Sequence, residues 1–179
     1  MLVDSFRIVT ARLIPQGLRC KQALLFASVI LAGCGGSSAA KQNQWQTVAG
    51  AGFTFQSPAG WKVEHAKNRV TATRASELVQ VATFPLLKTY DAKLFDRVAT
   101  ELHSRMLDIA HQTGGKLSGR RTVTADGVRS HAYDVTAGAR IDEYTFVLSG
   151  KREYLLLCRR TSSAGSTFCA QLVKSFARR

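Results

Sequence analysis

The fold is decided by the stretch GFTFQSPAGWKVEH, residues 52–65, in which two short apolar alternations flank a turn. Phe53 and Phe55 alternate with polar residues, and Trp61 and Val63 do the same further on. A period of two puts alternate side chains on one face, so both halves are predicted to be strands with one buried face. The SPAG between them is typical of a turn, because proline fixes φ and glycine accepts a positive φ.

A helix follows two more predicted strands. The strands are RVTATRA (69–75) and ELVQVATF (77–84), the second ending at the proline that follows it. Apolar residues then recur at steps of three and four, which predicts a helix from about 91 to 113. Asp91 can cap its start, and Gly114-Gly115 can end it. The apolar stripe consists of Leu94, Phe95, Val98, Leu102, Met106 and Ile109.

The second half of the chain returns to strands and ends in a helix. Asp126-Gly127 predicts a tight hairpin turn, and another turn is expected near Gly150-Lys151. Ser166 can cap the last helix. The predicted segments are RRTVTA (120–125), VRSHAYDVTA (128–137), RIDEYTFVLSG (140–150), EYLLLCRR (153–160) and a helix over STFCAQLVKSFA (166–177).

The predicted order of elements is ββββ-α-ββββ-α. Consecutive strands joined by short turns pair antiparallel, and two amphipathic helices must cover the sheet on which they pack. The fold class is therefore α+β, with a twisted antiparallel sheet covered by two helices. A chain of 179 residues is long enough for one domain with a core, which is expected at 52–179.

The opening GFTFQSPAGWKV resembles the first segment of PsbP-like and LpqN-like domains, which begin Gly-Phe-x-Phe-x-x-Pro-x-Gly-Trp. The resemblance continues through YTFVLSGKREYLLLC (144–158) and a closing helix that ends in Ser175-Phe176, so it spans about 52–177. It implies an α/β/α sandwich around an antiparallel sheet. It also implies a binding module rather than an enzyme, although a fold by itself does not select a partner.

The N-terminus has the organisation of a secretory signal. Residues 1–22 carry four basic residues and one acid, and the uncharged ALLFASVILA follows at 23–32. Ten residues rise only about 15 Å as a helix, about half of a bilayer core, which disfavours a permanent spanning helix. Residues 1–33 are therefore predicted to be a signal peptide that is removed.

The sequence Leu31-Ala32-Gly33-Cys34 resembles the lipobox of bacterial lipoproteins. The resemblance implies that Cys34 receives a diacylglycerol and becomes the first mature residue; the alternatives are an ordinary signal peptide or a short anchor helix with an incidental cysteine. The following stretch, 35–50, is rich in Gly, Ser, Ala and Gln, so 34–51 is predicted to be the acylated cysteine and a flexible tether. Trp45 is expected to dock on the domain or to lie at the membrane interface.

The chain is strongly basic, with 25 Lys and Arg against 12 Asp and Glu and a formal net charge of +13. Without residues 1–33, which hold four bases and one acid, 21 bases and 11 acids remain. This excess predicts contact with an anionic lipid or wall polymer; nucleic acid is not an expected partner outside the cytoplasm. The candidate residues, each of which is otherwise a solvated surface residue, are Arg120, Arg121, Lys151, Arg152, Arg159 and Arg160.

Cys158 and Cys169 are predicted to form a disulfide. Export would place them in a compartment that permits disulfides. One ends a predicted strand and the other begins the last helix, so the bridge would join helix to sheet and contribute about 3 kcal/mol. The alternatives are free buried thiols, or a redox or nucleophilic role, for which the Cys-x-x-Cys spacing is absent.

No catalytic site, metal site or cofactor is predicted. The chain has no Gly-x-Ser-x-Gly, P-loop or His-Glu-x-x-His motif. His103 and His111 lie about 12 Å apart along their helix, too far to hold one ion. Asp142 and Glu143 are neighbours on a strand, so they point to opposite faces, and both are expected to be solvated. The strand histidines, expected to be surface or partner-bonded residues, are His65 and His131.

The sequence thus predicts a noncatalytic binding or accessory module of the cell envelope. Acylated Cys34 would hold it to the outer side of the plasma membrane, or to an outer membrane if the organism has one. Its expected partner there is an envelope protein of unknown identity. The alternative function is a carrier that holds a lipid or other apolar ligand between the helix at 91–113 and the sheet. A hydrolase acting on wall or lipid substrates has the least support.

Overall fold

The structure is a computed structural model that describes residues 44–162 and 164–179. The predictions for the signal peptide at 1–33, for acylation of Cys34 and for the first part of the tether lie outside these residues. Within the described part of the chain, none of the helices is long and apolar enough to cross a membrane.

The described residues form nine strands and two helices, with a short 3-10 turn at Ala92–Leu94 before the first helix. In chain order they are β1 (Trp45–Gly50), β2 (Phe53–Pro58), β3 (Lys62–Ala66), β4 (Arg69–Arg74), β5 (Glu77–Tyr90), α1 (Phe95–Gln112), β6 (Lys116–Ala125), β7 (Val128–Ala137), β8 (Arg140–Thr161), α2 (Thr167–Ser175) and β9 (Ala177–Arg178).

The strands form two antiparallel sheets. The small sheet has the order β1-β2-β9, and the large sheet has the order β3-β4-β5-β8-β7-β6. An α+β fold of mostly antiparallel strands with two helices is therefore confirmed. The predicted order of elements is wrong, because β1 and β9 were not predicted and β8 contains two predicted strands.

The two halves of β8 have different partners. Residues 140–146 pair with β7, whereas the second half pairs with β5. If β8 were straight, Asp142 and Arg159 would lie roughly 55 Å apart at about 3.3 Å per residue. Instead, Nε of Arg159 is 2.7 Å from Oδ1 of Asp142. The two halves therefore lie side by side.

A hairpin turn at Gly150-Lys151 explains this geometry. Gly150 has φ of +57°, which is the conformation required at the first central position of a two-residue type II′ turn. Beyond the far end of the hairpin, the amide of Ser162 donates to the carbonyl of Ala139 at 2.6 Å. The predicted turn is confirmed, as is the turn at Asp126-Gly127, where both φ values are positive at +48° and +71°.

The small sheet departs most from the prediction. β1 forms where a tether was predicted, and it pairs with β2 along six residues. Its Val48 is buried, and Trp45 is half-buried opposite Pro58, as expected for docking. β2 and β3 were expected to pair, but β1 and β9 occupy both edges of β2. β3 pairs with β4 instead, so the chain crosses to the large sheet at Gly60.

One face of the large sheet, here called the core face, is covered by the small sheet and α2. Phe53 and Phe55 of the small sheet are 1 % exposed, and Trp61 packs on Phe168 of α2 with ring centroids 5.2 Å apart. This cluster is the largest in the domain. Its other buried members include Val70, Val79, Val81, Val147, Tyr154, Leu156, Leu172 and Phe176.

The opposite face, here called the helix face, is covered by α1 over β6, β7 and β8. The inward stripe of α1 contains Phe95, Leu102 and Met106, which are buried, whereas Leu94 is exposed. Met106 and Tyr133 of β7 are 0 % exposed, so the helix lies directly on the sheet. The predicted helix is confirmed over 95–112.

The predicted caps are only partly confirmed. The side chain of Asp91 accepts from the amide of Lys93 at 2.9 Å, so it caps the 3-10 turn before α1. Gly114 has φ of +65° just after the helix, the left-handed conformation that favours glycine. Ser166 makes no side-chain cap, and α2 starts one residue later. The backbone carbonyl of Ser166 accepts from the amide of Ala170.

Candidate functional site

The hairpin of β8 brings a buried ion pair to one end of the large sheet. Asp142 lies eight residues before Gly150, and Arg159 lies eight after Lys151, so the turn places the two directly opposite. Asp142 is 0 % exposed. Arg159 donates from Nε to Oδ1 at 2.7 Å and from Nη2 to Oδ2 at 3.0 Å. This bidentate pair holds the guanidinium in a fixed orientation.

Arg140 shares the same carboxylate. Its Nε lies 3.4 Å from Oδ2 of Asp142, and its Nη2 lies 3.5 Å from the carbonyl of Thr113 at the end of α1. The Nε atom is buried and makes no hydrogen bond to any described residue. One buried carboxylate therefore faces two guanidinium groups, which leaves an excess of positive charge at this position.

These arginines line a pocket between the end of β8 and the turn that joins β4 to β5. Its volume is about 350 Å³. We call it the arginine pocket; its lining includes Thr73, Ser76, Glu77, Arg140, Arg159 and Arg160.

A second set of ion pairs lies on the core face at the same end of the sheet. Nη1 of Arg121 donates to both carboxylate oxygens of Asp134 at 2.6 Å, and its Nη2 donates to Glu143 at 2.8 Å. Nε of Arg160 donates to Glu143 at 2.9 Å. The hydrogen bond that Arg121 donates to Asp134 is the main cause of a raised pKa at Arg121, so the guanidinium stays charged.

Asp142 and Glu143 do lie on opposite faces, as predicted. The expectation that both are solvated is wrong, because Asp142 is fully buried and Glu143 binds two arginines. The hydrogen bond to Asp142 raises the pKa of Arg159. Burial, reinforced by the charge of Asp142, raises the pKa of Tyr144. Arg121 and Arg159 therefore stay charged and are held in place by their carboxylate partners.

The six basic residues predicted to contact an anionic surface do not lie together. Members of a consecutive pair point to opposite faces of a strand, so Arg159 lies on the helix face and Arg160 on the core face. Lys151 and Arg152 lie at the tip of the hairpin, at the other end of β8, and are exposed. Three of the six, Arg121, Arg159 and Arg160, are ion-paired within the domain.

The disulfide between Cys158 and Cys169 is confirmed. Its Cα atoms lie 5.4 Å apart, and it joins the end of β8 to the first turn of α2. Both residues are 2 % exposed. The disulfide therefore links β8 to α2 inside the core-face cluster.

Of the two strand histidines, His131 is buried and His65 is exposed. His131 is buried, its Nε2 is 3.0 Å from the carbonyl of Phe95, and its ring stacks on that of Phe95 at 3.8 Å. The guanidinium of Arg129 lies 4.0 Å from the centroid of the same phenyl ring. His65 is exposed on β3. In the described part of the chain, no three His, Cys, Asp or Glu side chains are grouped as metal ligands.

Sequence reasoning missed Arg140. Its signal was its position two residues before Asp142, because residues two apart on a strand share a face. It also missed Arg105, whose Nη1 donates to both carboxylate oxygens of buried Glu153 at 2.9 and 3.0 Å. That pair joins α1 to β8 across 48 residues of sequence, and no local pattern predicts such a contact.

Comparison with solved structures places this architecture among known folds. The domain is similar to the cyanobacterial PsbP protein (CyanoP) of Synechocystis sp. PCC 6803, with a TM-score of 0.58 and 17 % identity over 83 % of this chain and 99 % of that one. The fold is PsbP-like. At this identity the likeness shows the fold alone.

The other comparisons add little to the PsbP-like assignment. A structure from Bacteroides thetaiotaomicron VPI-5482 has a TM-score of 0.46 and 9 % identity over 76 % of this chain and 49 % of that one. No protein-family model matches the chain, and no curated protein matches its sequence.

Proposed function

We propose that the protein is an exported lipoprotein, anchored through Cys34, that presents its PsbP-like domain as a noncatalytic binding or accessory module in the cell envelope. In this proposal the domain is also of the LpqN-like kind, which the opening Gly-Phe-x-Phe-x-x-Pro-x-Gly-Trp supports. Residues 1–33 are removed, and the acylated cysteine becomes the first residue.

The observation that carries the proposal is the position of Cys34. It stands directly behind a basic segment, ten uncharged residues and the small residues Ala32-Gly33, which is the organisation of a cleaved signal. Two acyl chains hold a protein firmly, because each buried methylene adds about 0.8 kcal/mol. The described domain begins at Gln44, ten residues later, and ten residues reach at most about 36 Å.

The packing of the helix face supports a binding surface over an internal carrier cavity. A carrier would need room between α1 and the sheet, but Leu102, Met106 and Tyr133 fill that interface with exposures of 4, 0 and 0 %. Exposed polar side chains lie on the outer surface of α1 and at the ends of the strands. We therefore propose recognition at the surface of the domain.

The anchoring is tested by intact-mass spectrometry of the membrane fraction. The full-length chain should yield a species that begins at Cys34 and carries acyl groups, and Cys34→Ser should lose this species. Cys20→Ser is the matched control, because that cysteine would be discarded with residues 1–33. A wild-type chain that keeps residues 1–33 without acyl groups would overturn the proposal.

The binding role is tested by cross-linking in intact cells, comparing the wild type with Cys34→Ser. An accessory module of the envelope should give cross-links to one or a few envelope components that depend on anchoring. Cross-links that are identical in the two strains would contradict a role tied to the membrane.

A further inference from the structure

We propose that the arginine pocket binds a phosphoryl group. The inference concerns the described domain alone and does not depend on acylation of Cys34. Guanidinium groups suit oxyanions because their N–H donors form a planar fork. The two arginines that share Asp142, Arg140 and Arg159, both line one pocket of about 350 Å³, which favours an oxyanion that can accept from two guanidinium groups at once.

The charges around the pocket do not balance. Arg140 and Arg159 share Asp142, and Arg160 and Arg121 share Glu143, with Asp134 as a further partner of Arg121. On the helix face, Arg140 and Arg159 thus face the single carboxylate of Asp142, which leaves one positive charge in excess. The acid that lines the pocket, Glu77, is itself 3.5 Å from Arg74.

Donors remain free to bind a ligand. A guanidinium has five N–H donors, and among the residues that the structure describes Arg159 donates from its Nε and one Nη2 donor to Asp142. The Nε of Arg140 is buried against Asp142 and its Nη2 faces the carbonyl of Thr113, while the side chain as a whole is 36 % exposed. The carboxylates therefore orient the arginines without occupying all their donors, so little side-chain freedom is lost on binding.

The pocket lies at the same end of the domain as Gln44, the first described residue. The amide of Ala59, next to the crossing into β3, donates to the carbonyl of Gln44 at 3.0 Å. β3 pairs with β4 from Lys62 opposite Thr73, so this crossing lies beside the turn that lines the pocket. The phosphoryl group has two candidate sources. One is a phosphodiester of a headgroup or wall polymer, and the other is free phosphate.

The test is isothermal titration of the purified full-length chain in non-ionic detergent at constant ionic strength. Inorganic phosphate and glycerophosphoglycerol are the two probes, and acetate is the comparison. Arg140→Gln should weaken binding of the effective probe roughly tenfold or more, since it removes a charge-assisted hydrogen bond. Arg152→Gln, at the exposed tip of the hairpin, is the control and should bind like the wild type.

A second pair of variants guards against misfolding of Arg140→Gln. Ser76 is exposed on the turn that lines the pocket, so Ser76→Glu should fold normally and abolish binding by repulsion. Ser76→Gln has nearly the same size without the charge and should retain binding.

Each outcome decides. Binding of both probes supports the phosphoryl site, binding of the diester alone assigns it to a headgroup or wall polymer, and binding of inorganic phosphate alone assigns it to the free ion. Equal binding of acetate, absence of binding to both probes, or binding unchanged in both Arg140→Gln and Ser76→Glu would overturn the proposal. Mass spectrometry of Cys34 can fail while this titration succeeds, so the two proposals are tested separately.

Discussion

The two faces of the large sheet are built in different ways. The core face is closed by a second sheet, a helix, a disulfide and a group of aromatic rings whose centroids lie 5.4 to 6.5 Å apart. The helix face has one helix over part of its width, held partly by the Arg105–Glu153 pair, and the arginine pocket opens at its end. The difference suggests a test: if the core face carries more of the stability, truncating its side chains costs more than truncating those of the helix face.

The sharpest way to break this comparison is to truncate one core residue on each face. Phe55→Ala should cost about 4 kcal/mol and Met106→Ala about 3 kcal/mol of unfolding free energy, because each leaves a cavity in addition to losing apolar burial. Urea denaturation of the two variants measures both values. A smaller loss for Phe55→Ala than for Met106→Ala would show that stability is not concentrated on the core face.

Removing the disulfide tests the core face by a different route. The double variant Cys158→Ala/Cys169→Ala should lose about 3 kcal/mol, because the unfolded chain regains the freedom that the bridge removes. Reductant should lower the urea midpoint of the wild type to about that of the double variant. It should leave the midpoint of the double variant unchanged. Sensitivity of the double variant to reductant would contradict this explanation.

The helix face is tested by Glu153→Gln. Glu153 is a buried acceptor of two hydrogen bonds from Arg105, and the neutral amide cannot satisfy both, so we expect a loss of about 1 to 2 kcal/mol. Lys62→Ala is the control: its pair with Glu64 is exposed by 75 and 62 %, so the urea midpoint should not change measurably. Equal effects of the two variants would mean that the buried pair does not hold α1.

The smallest effect is expected at the ion pair between Asp126 and Arg178. Burial would raise the pKa of Asp126, but hydrogen bonds from Arg178 outweigh it and the pKa is lowered. A lowered folded pKa gives stability that is present above the unfolded pKa, near 3.9, and is lost as the pH falls through the folded value. Asp126→Asn, which tolerates the positive φ at this position, should cost about 1 kcal/mol at pH 7.

Urea midpoints at pH 7 and pH 3 check this prediction. The difference between wild type and Asp126→Asn should shrink at pH 3, because the wild-type carboxylate is then partly protonated. A difference that grows on acidification would contradict the sign of the pKa change.

The elements with strong local signals could be predicted from the sequence. The three- and four-residue spacing of Phe95, Leu102 and Met106 determines which side of α1 is buried, and this period belongs to the helix itself. The turns at Asp126-Gly127 and Gly150-Lys151 depend on glycine conformation, which is equally local. The cysteines were predicted as a pair from their positions in a strand and a helix.

The small sheet could not be predicted because its strands are stabilised by pairing rather than by their own composition. β1 has one buried apolar side chain, Val48, among residues typical of a spacer. β9 has two residues and exists because Arg178 pairs opposite Phe53. The arginine pocket could not be predicted either, because it depends on the exact register of the β8 hairpin against the turn between β4 and β5.

The small sheet also sets the order of events when the protein is made. Its central strand, β2, is bordered by β1 near the start of the domain and by β9 near its end. The amide of Arg179 donates to the carbonyl of Gly52 at 3.0 Å. The ribosome completes β2 more than a hundred residues before β9. Until β9 is made, this edge of β2 stays without its strand, and the chain leaves β9 beside Gly52.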